Sequence, residues 1–318
     1  MTRQTVIPSV LDIRYLYSEE MRPAYGFDLF AVDRFVALDM PPDGITVLET
    51  ALDPAEIGAA LSATGYEADA FDNGALYRML DDYETALGTD LPRVGMLGAL
   101  NRIAVLDGGR LVIARATDVV QGALDAQQSA VPSLAESPRY RSAANALATL
   151  DEDLGPLVGA IFHDGMVLPD PAAAVGAILD GDDAEAVETA IAAQMAGSVP
   201  PYLLAMFGTY RGEDATYLAV GIVLLPGMDA TAAADALREG IEGYVSPFTK
   251  QPLDEKWAFD HTFTDESGDL PVAGVVMRVD DPPAPAEGER VNPAILSWID
   301  MISRRELGFL VPGERAED

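Results

Sequence analysis

The sequence has no cysteine, only two histidines and only two lysines among its 318 residues. Without cysteine the chain has no disulfide, no thiolate nucleophile and no thiolate-ligated zinc or iron–sulfur site. Lys250 and Lys256 stand beside scattered arginines, so the chain lacks the clustered basic charge that binds nucleic-acid phosphates or anionic lipid headgroups. We therefore expect no nucleic-acid partner.

Long apolar runs are also missing. The longest, residues 217–225, has the length of a strand and falls short of the roughly 20 residues that a membrane-spanning helix needs. The first residues show no basic region followed by an apolar region, so no signal peptide is predicted. We expect no transmembrane segment in this chain.

Acidic residues dominate the charge. Asp and Glu number 52 against 20 Lys and Arg, which gives a formal net charge of -32. High charge produces disorder only when hydrophobicity is low, and here 49% of the residues are hydrophobic, with a mean hydropathy of +0.12. The sequence therefore predicts a folded protein whose acidic surface provides solubility. That surface is also compatible with a cationic partner or divalent ions.

The first half of the chain predicts a strand, a helix, further strands and a second helix. Residues 45–48 form the first strand, and Asp53-Pro54 begins a helix that Gly65 ends. Asp107-Gly108-Gly109 joins two apolar strands in a hairpin. Thr117-Asp118 is predicted to cap the helix that follows.

The second half predicts the same order of elements. Residues 217–225 form a strand, and Asp229 or Thr231 caps a helix that ends at Gly243. Its remaining predicted elements are two strands, at 257–263 and 272–279, and a helix that begins at Asn292-Pro293.

This order predicts an α+β fold with two similar layered domains, each a mostly antiparallel sheet with helices on one face. We place the domains at residues 1–135 and 136–318, the second beginning with a helical connection, and interpret the shared order as an internal duplication. A chance match of two α+β patterns is the alternative. In the helical connection, the helix at Ser137-Pro138 is predicted to bury Tyr140, Ala144, Leu147 and Leu150.

The two histidines are the candidate catalytic residues, and each has an aspartate beside it. His163 precedes Asp164, and His261 follows Asp260. If their strands paired, the histidines would approach one another and form a small metal or acid–base site. The simpler interpretation is two unrelated histidines at strand ends, because zinc and iron sites normally show three or more ligands at recognisable spacing.

Other catalytic patterns are not found in the sequence. There is no G-x-S-x-G elbow, no phosphate-binding loop of the Walker or G-x-G-x-x-G type, and no match to the EF-hand calcium loop. Acidic groups such as residues 151–153 and 180–183 are explained by solvated loops and helix N-termini. No cofactor is predicted, and the sequence leaves metal binding open.

Several short motifs stand out in the first half of the chain, in the runs 21–28, 32–34, 41–43, 65–67 and 100–109. Together they resemble bacterial cell-envelope lipoproteins of unassigned function. The resemblance covers roughly the first 130 residues and brings no functional residues with it. It implies that a signal peptide and a lipidated cysteine precede the folded part, and hence a location in the cell envelope.

Together these features predict a non-enzymatic extracytoplasmic protein that binds a ligand or another protein, tethered through a lipid anchor on a removed N-terminal segment. The alternative is a hydrolase or metal-dependent enzyme that uses His163 or His261 with the neighbouring carboxylates. A third hypothesis is a cytoplasmic assembly protein whose acidic face meets a basic partner.

Overall fold

The computed structural model describes residues 21–28, 31–38, 43–85, 98–166, 199–246, 250–280, 298, 301–302, 304 and 306–312. The chain divides into two compact units, Thr5–Ser133 and Leu134–Asp318, here called the N-terminal and C-terminal units. In the described part of the chain, no helix is long and apolar enough to cross a membrane.

The described residues of the N-terminal unit form three helices and six strands. In chain order they are α1 (Met21–Tyr25), β1 (Val32–Leu38), β2 (Ile45–Thr50), α2 (Pro54–Thr64), β3 (Glu67–Phe71), β4 (Gly74–Arg78), β5 (Arg102–Leu106), β6 (Arg110–Ala114) and α3 (Thr117–Gln127).

The six strands form one antiparallel sheet in the order β1-β2-β6-β5-β4-β3. Successive side chains of a strand point to opposite faces, so each strand supplies both layers. Ile103 and Leu111 pack with α1 and α2 on one face, whereas Ala104 and Val112 pack with α3 on the other. Helices therefore cover both faces of this sheet.

The C-terminal unit has the following elements in its described residues: a 3-10 turn (Leu134–Glu136), α4 (Pro138–Thr149), α5 (Asp151–Leu154), β7 (Leu157–Asp164), β8 (Tyr202–Arg211), β9 (Ala215–Leu224), α6 (Ala230–Glu242), a 3-10 turn (Leu253–Glu255), β10 (Ala258–Asp265), β11 (Val272–Asp280) and a 3-10 turn (Gly308–Leu310).

Its five strands form an antiparallel sheet in the order β10-β11-β9-β8-β7. One face packs against α6 and the buried Trp257 and Trp298, whose rings lie 5.0 Å apart, edge to face. The other face packs against α4 and α5. Two apolar layers around one central sheet explain why β9 is buried along nearly its whole length.

The predicted α+β class with two antiparallel sheets is confirmed, but helices cover both faces of each sheet instead of one. The units also share a local connection. In the N-terminal unit the chain leaves β2, forms α2 and then β3 to β6, and β6 lies beside β2. In the C-terminal unit it leaves β9, forms α6 and then β10 and β11, and β11 lies beside β9.

Two helix starts follow the prediction. Asp53 accepts a hydrogen bond from the Ala55 N–H, and Asp229 accepts from Thr231 and Ala232. The carboxylate satisfies N–H groups that have no partner within the first turn of the helix, so these boundaries follow from local sequence.

Two predicted details are wrong. The N-cap of α3 is Ala116, and Thr117 already lies inside the helix, because Asp82 supplies the carboxylate that accepts from the Thr117 N–H at 2.9 Å. On α4, Ala144 is exposed and the buried residues are Ser142, Ala143, Ala146 and Leu147. Leu147 and Leu150 are buried as predicted and Tyr140 is partly buried against the same core, so only Ala144 departs from the predicted face.

Some predictions fall outside the described residues. The sequence also predicts helix starts at 170–171 and 182–183 and a stiff, exposed proline-rich connection at 281–288, and all of these lie outside the described residues, as does the helix start at 292–293. Trp298, Met301 and Ile302 are helical, and Trp298 and Met301 are buried.

Candidate functional sites

The two histidines lie on the opposite edge strands of the C-terminal sheet. His163 is on β7 and His261 on β10, with β8, β9 and β11 between them. Four strand spacings of about 4.8 Å separate the two strands by about 19 Å. The hypothesis that the two histidines form one site is therefore wrong.

His261 forms a close pair with Asp260. The Nδ1 atom of His261 lies 2.7 Å from Oδ2 of Asp260. Consecutive side chains of a regular strand point to opposite faces, but a register shift between Phe259 and His261 makes a β-bulge that brings the two side chains together. A carboxylate on Nδ1 favours the tautomer whose Nε2 accepts a proton, the arrangement of a histidine base.

His163 has no such partner in Asp164. The two side chains point to opposite faces of β7, and Asp164 binds Arg139 of α4 through two contacts, at 2.7 and 3.0 Å. The Nδ1 atom of His163 is buried without a hydrogen-bond partner. Asp164 therefore fixes the start of α4 and does not orient the imidazole.

Metal binding has no support from the side-chain groupings in the described residues. Among them, no three His, Cys, Asp or Glu side chains come together in a way that would hold a metal ion. The pair of Asp260 and His261 supplies two ligands at most, fewer than a structural or catalytic zinc site uses.

A second candidate surface lies at β1, the outermost strand of the N-terminal sheet among the residues that the structure describes. Val36 is opposite Val47 and Leu38 is opposite Ile45, so the four side chains share the face that carries α3. Val36 is 67% exposed and Leu38 is 41% exposed, while Ile45 and Val47 are partly buried. We call these four side chains the β1 strip.

The last four residues of β1 lack the usual protection of an edge strand. Over its last four residues, 35–38, β1 carries no charge, no proline and no bulge. β1 is charged and irregular only near its start, at Asp33 and Arg34, whereas β3 carries Glu67 and Asp69 along the strand and β10 has the bulge at Asp260. Unprotected edge strands present backbone groups to which another strand can add.

Three carboxylates lie near Tyr83 at one end of the β1 strip: Asp43, Asp82 and Asp118. Asp82 is neutralised by its ion pair with Arg102, so we call the other two, Asp43 and Asp118, the acidic end. Tyr83 donates a hydrogen bond to Asp43 at 2.7 Å. That bond raises the pKa of Tyr83 to about 12, with smaller contributions from desolvation and from the charges of Asp118, Asp43 and Asp82. The raised pKa of Tyr83 therefore reflects negative charge that is concentrated beside the start of β2.

The β1 strip is the part of the candidate surface that our sequence analysis missed. Residues 35–38 form a short apolar run that resembles any buried strand, and the sequence does not say that β1 is an edge. The sequence signal for this surface is the absence of charged residues from positions 35–38.

No family model matches the chain, and no curated protein or solved structure matches it.

Proposed function

We propose that this protein is a non-enzymatic binding protein that recognises another protein through the β1 edge. The observation that carries the proposal is the exposure of Val36 (67%) and Leu38 (41%) on an edge strand with no charge at these positions. Exposed apolar groups beside unpaired strand edges are the two ingredients of β-strand addition.

Backbone pairing and apolar contact act together in this mode. A partner strand that pairs with β1 extends the sheet, and its alternate side chains fall beside Val36 and Leu38. The backbone hydrogen bonds supply affinity with little sequence preference, whereas the β1 strip selects apolar side chains on one face of the incoming strand.

Site-specific photo-crosslinking tests this proposal. A photoreactive amino acid replaces Val36 in the full chain, and the matched control replaces Val158, which is 41% exposed on the β7 edge. We expect one defined protein, identified by the sequence of its crosslinked peptide, to be captured from position 36. The same set of products from both positions would contradict recognition at β1.

An enzymatic function is the second candidate, favoured by one observation, the 2.7 Å contact between Asp260 and His261. A histidine oriented by a carboxylate acts as a general base toward water or a hydroxyl nucleophile. This candidate predicts hydrolysis that depends on His261 and is independent of His163.

Replacing each histidine distinguishes the two functions. The full chain, His261→Ala and His163→Ala are assayed with a panel of chromogenic esters and phosphoesters. Under the binding proposal the three proteins fold alike and none turns over substrate above buffer. Turnover by the full chain that falls at least a hundredfold in His261→Ala alone, as general-base loss predicts, supports the enzyme instead.

We also propose an extracytoplasmic location with a lipid anchor, on the strength of the resemblance of the first half to envelope lipoproteins. Cell fractionation of the native gene product with mass spectrometry of its mature N-terminus tests this. A lipidated or cleaved N-terminus in the envelope fraction supports the proposal, and an intact initiator methionine in the cytosol overturns it.

A further inference from the structure

We infer that the partner of the β1 edge is an extended segment with alternating apolar side chains and a basic residue at the end that lies beside Leu38. The inference rests on the proposed function, because it describes the occupant of the same surface. It follows from the β1 strip together with the acidic end.

The β1 strip requires apolar side chains at every second position of the partner. Val36 and Leu38 are two residues apart and share one face of β1. A strand added beyond β1 continues this face with its own alternate residues, which cover the exposed parts of both side chains. The intervening residues of the partner face away and carry no such requirement.

The acidic end places negative charge at one end of that strand. Leu38 pairs with Ile45, and Asp43 lies two residues before Ile45 in the chain. Asp118 lies four residues after Ala114, which pairs with Ile45 on its other side. A lysine or arginine at the matching end of the partner is therefore attracted by the charges of Asp43, which precedes β2, and Asp118, which follows β6.

A second copy of this chain fits the surface less well than a basic partner. Each chain carries a formal net charge of -32, so two copies repel one another over the whole approach. A second β1 would bring Asp33 and Arg34, whose charges cancel, and that Arg34 is already paired with Glu49 at 2.6 Å. Charge complementarity thus favours a basic segment from a different protein.

Fluorescence anisotropy with synthetic peptides tests the inference on the full chain. The probe is a labelled seven-residue peptide in which valine alternates with threonine and lysine occupies one terminus. The comparison peptides place glutamine at that terminus or lysine at the opposite one. We expect the lysine peptide of one orientation to bind most tightly, and its affinity to fall as salt is raised.

Four variants separate the contribution of the β1 strip to peptide binding from that of the acidic end. Val36→Lys places a charge in the β1 strip, and Val158→Lys makes the same change on the β7 edge. Asp118→Asn removes a charge of the acidic end, and Asp107→Asn removes one from the exposed turn at the other end of the sheet. We expect Val36→Lys to abolish binding of all peptides and Asp118→Asn to weaken the lysine peptide by about threefold, with both controls unchanged.

The outcomes distinguish this inference from the proposed function. Equal affinity for lysine and glutamine peptides, lost in Val36→Lys, overturns the basic end and leaves recognition at β1 standing. No peptide binding, or binding that Val36→Lys leaves intact, overturns both. Dimerisation of the unmodified chain in analytical ultracentrifugation, abolished by Val36→Lys, identifies a second copy as the occupant and overturns the inference.

Discussion

Arg102 and Asp82 form an ion pair in the N-terminal unit, with 2.6 Å between Nη2 and Oδ1. The arginine side chain is only 5% exposed, and it also donates to the backbone oxygens of Leu80 and Asn101 and to the hydroxyl of Thr117. Asp82 in turn accepts from the N–H of Thr117 at the start of α3. One buried cation thus joins β5, the segment after β4 and a helix N-terminus.

We predict that Arg102→Met lowers the free energy of unfolding by about 3 kcal/mol, the lower part of the range for a broken buried pair, because Asp82 is partly exposed. The loss comes from oxygens left without a donor. The matched control, Arg110→Met in the same β5–β6 hairpin, breaks a pair with Glu49 of β2 in which both side chains are partly exposed, and it is expected to cost under about 1 kcal/mol. Urea unfolding of both variants measures the difference, and similar losses would contradict the role of burial.

Asp229→Ala is predicted to destabilise the C-terminal unit by about 1 kcal/mol, because the carboxylate accepts two N–H groups of the first turn of α6. Asp235→Ala removes an exposed carboxylate from the interior of the same helix and is expected to leave stability unchanged or slightly raised. Thermal unfolding followed by circular dichroism compares the two. Equal melting temperatures would show that the cap contributes nothing.

Because Tyr66 is buried, we predict that the protein loses stability in alkaline solution. Its hydroxyl donates to the Leu100 oxygen at 2.8 Å, and burial, aided by the charge of Tyr25, raises the pKa of Tyr66 well above 10. The folded state keeps this proton at a pH where the unfolded state has lost it, so stability is full below about pH 10 and falls as the pH rises further.

We expect Tyr66→Phe to lower the free energy of unfolding by about 1 kcal/mol at neutral pH, through loss of the hydrogen bond. Above about pH 10 its stability should fall less steeply than that of the unmodified protein, because one buried proton no longer contributes. Urea titrations at a series of pH values give both slopes. Parallel curves would mean that Tyr66 ionises freely in the folded state.

The parts of the fold that sequence predicts well are those whose causes are local. Asp229 caps the helix that begins directly after it, and Asp107-Gly108-Gly109 joins strands that are neighbours in the chain. The N-cap partner of α3 was missed because Asp82 lies 35 residues before Thr117, and only the folded chain brings them together. The same limit applies to strand order.

The order of the strands determines which candidate residues lie close together, and the sequence does not predict that order. The sequence placed His163 and His261 at strand ends but gave no means of knowing that three strands separate them. Asp260 and His261 are adjacent in the chain, yet their contact depends on a bulge that a regular strand pattern does not predict. The β1 strip depends on β1 lying at an edge, a property of the whole sheet.

We predict that replacing glycine with alanine has opposite effects on stability at Gly26 and at Gly122. Gly26 has a φ of +77°, and an added Cβ would lie 2.5 Å from Cα of Ile57, so Gly26→Ala must separate α1 from α2 or strain the backbone. Gly122 lies inside α3 with no atom near an added Cβ, and alanine is favoured over glycine in a helix by about 1 kcal/mol. We expect Gly26→Ala to lower the free energy of unfolding by more than about 2 kcal/mol and Gly122→Ala to raise it. Chemical denaturation of both proteins checks the pair, and a stable Gly26→Ala variant would contradict the close approach of the two helices.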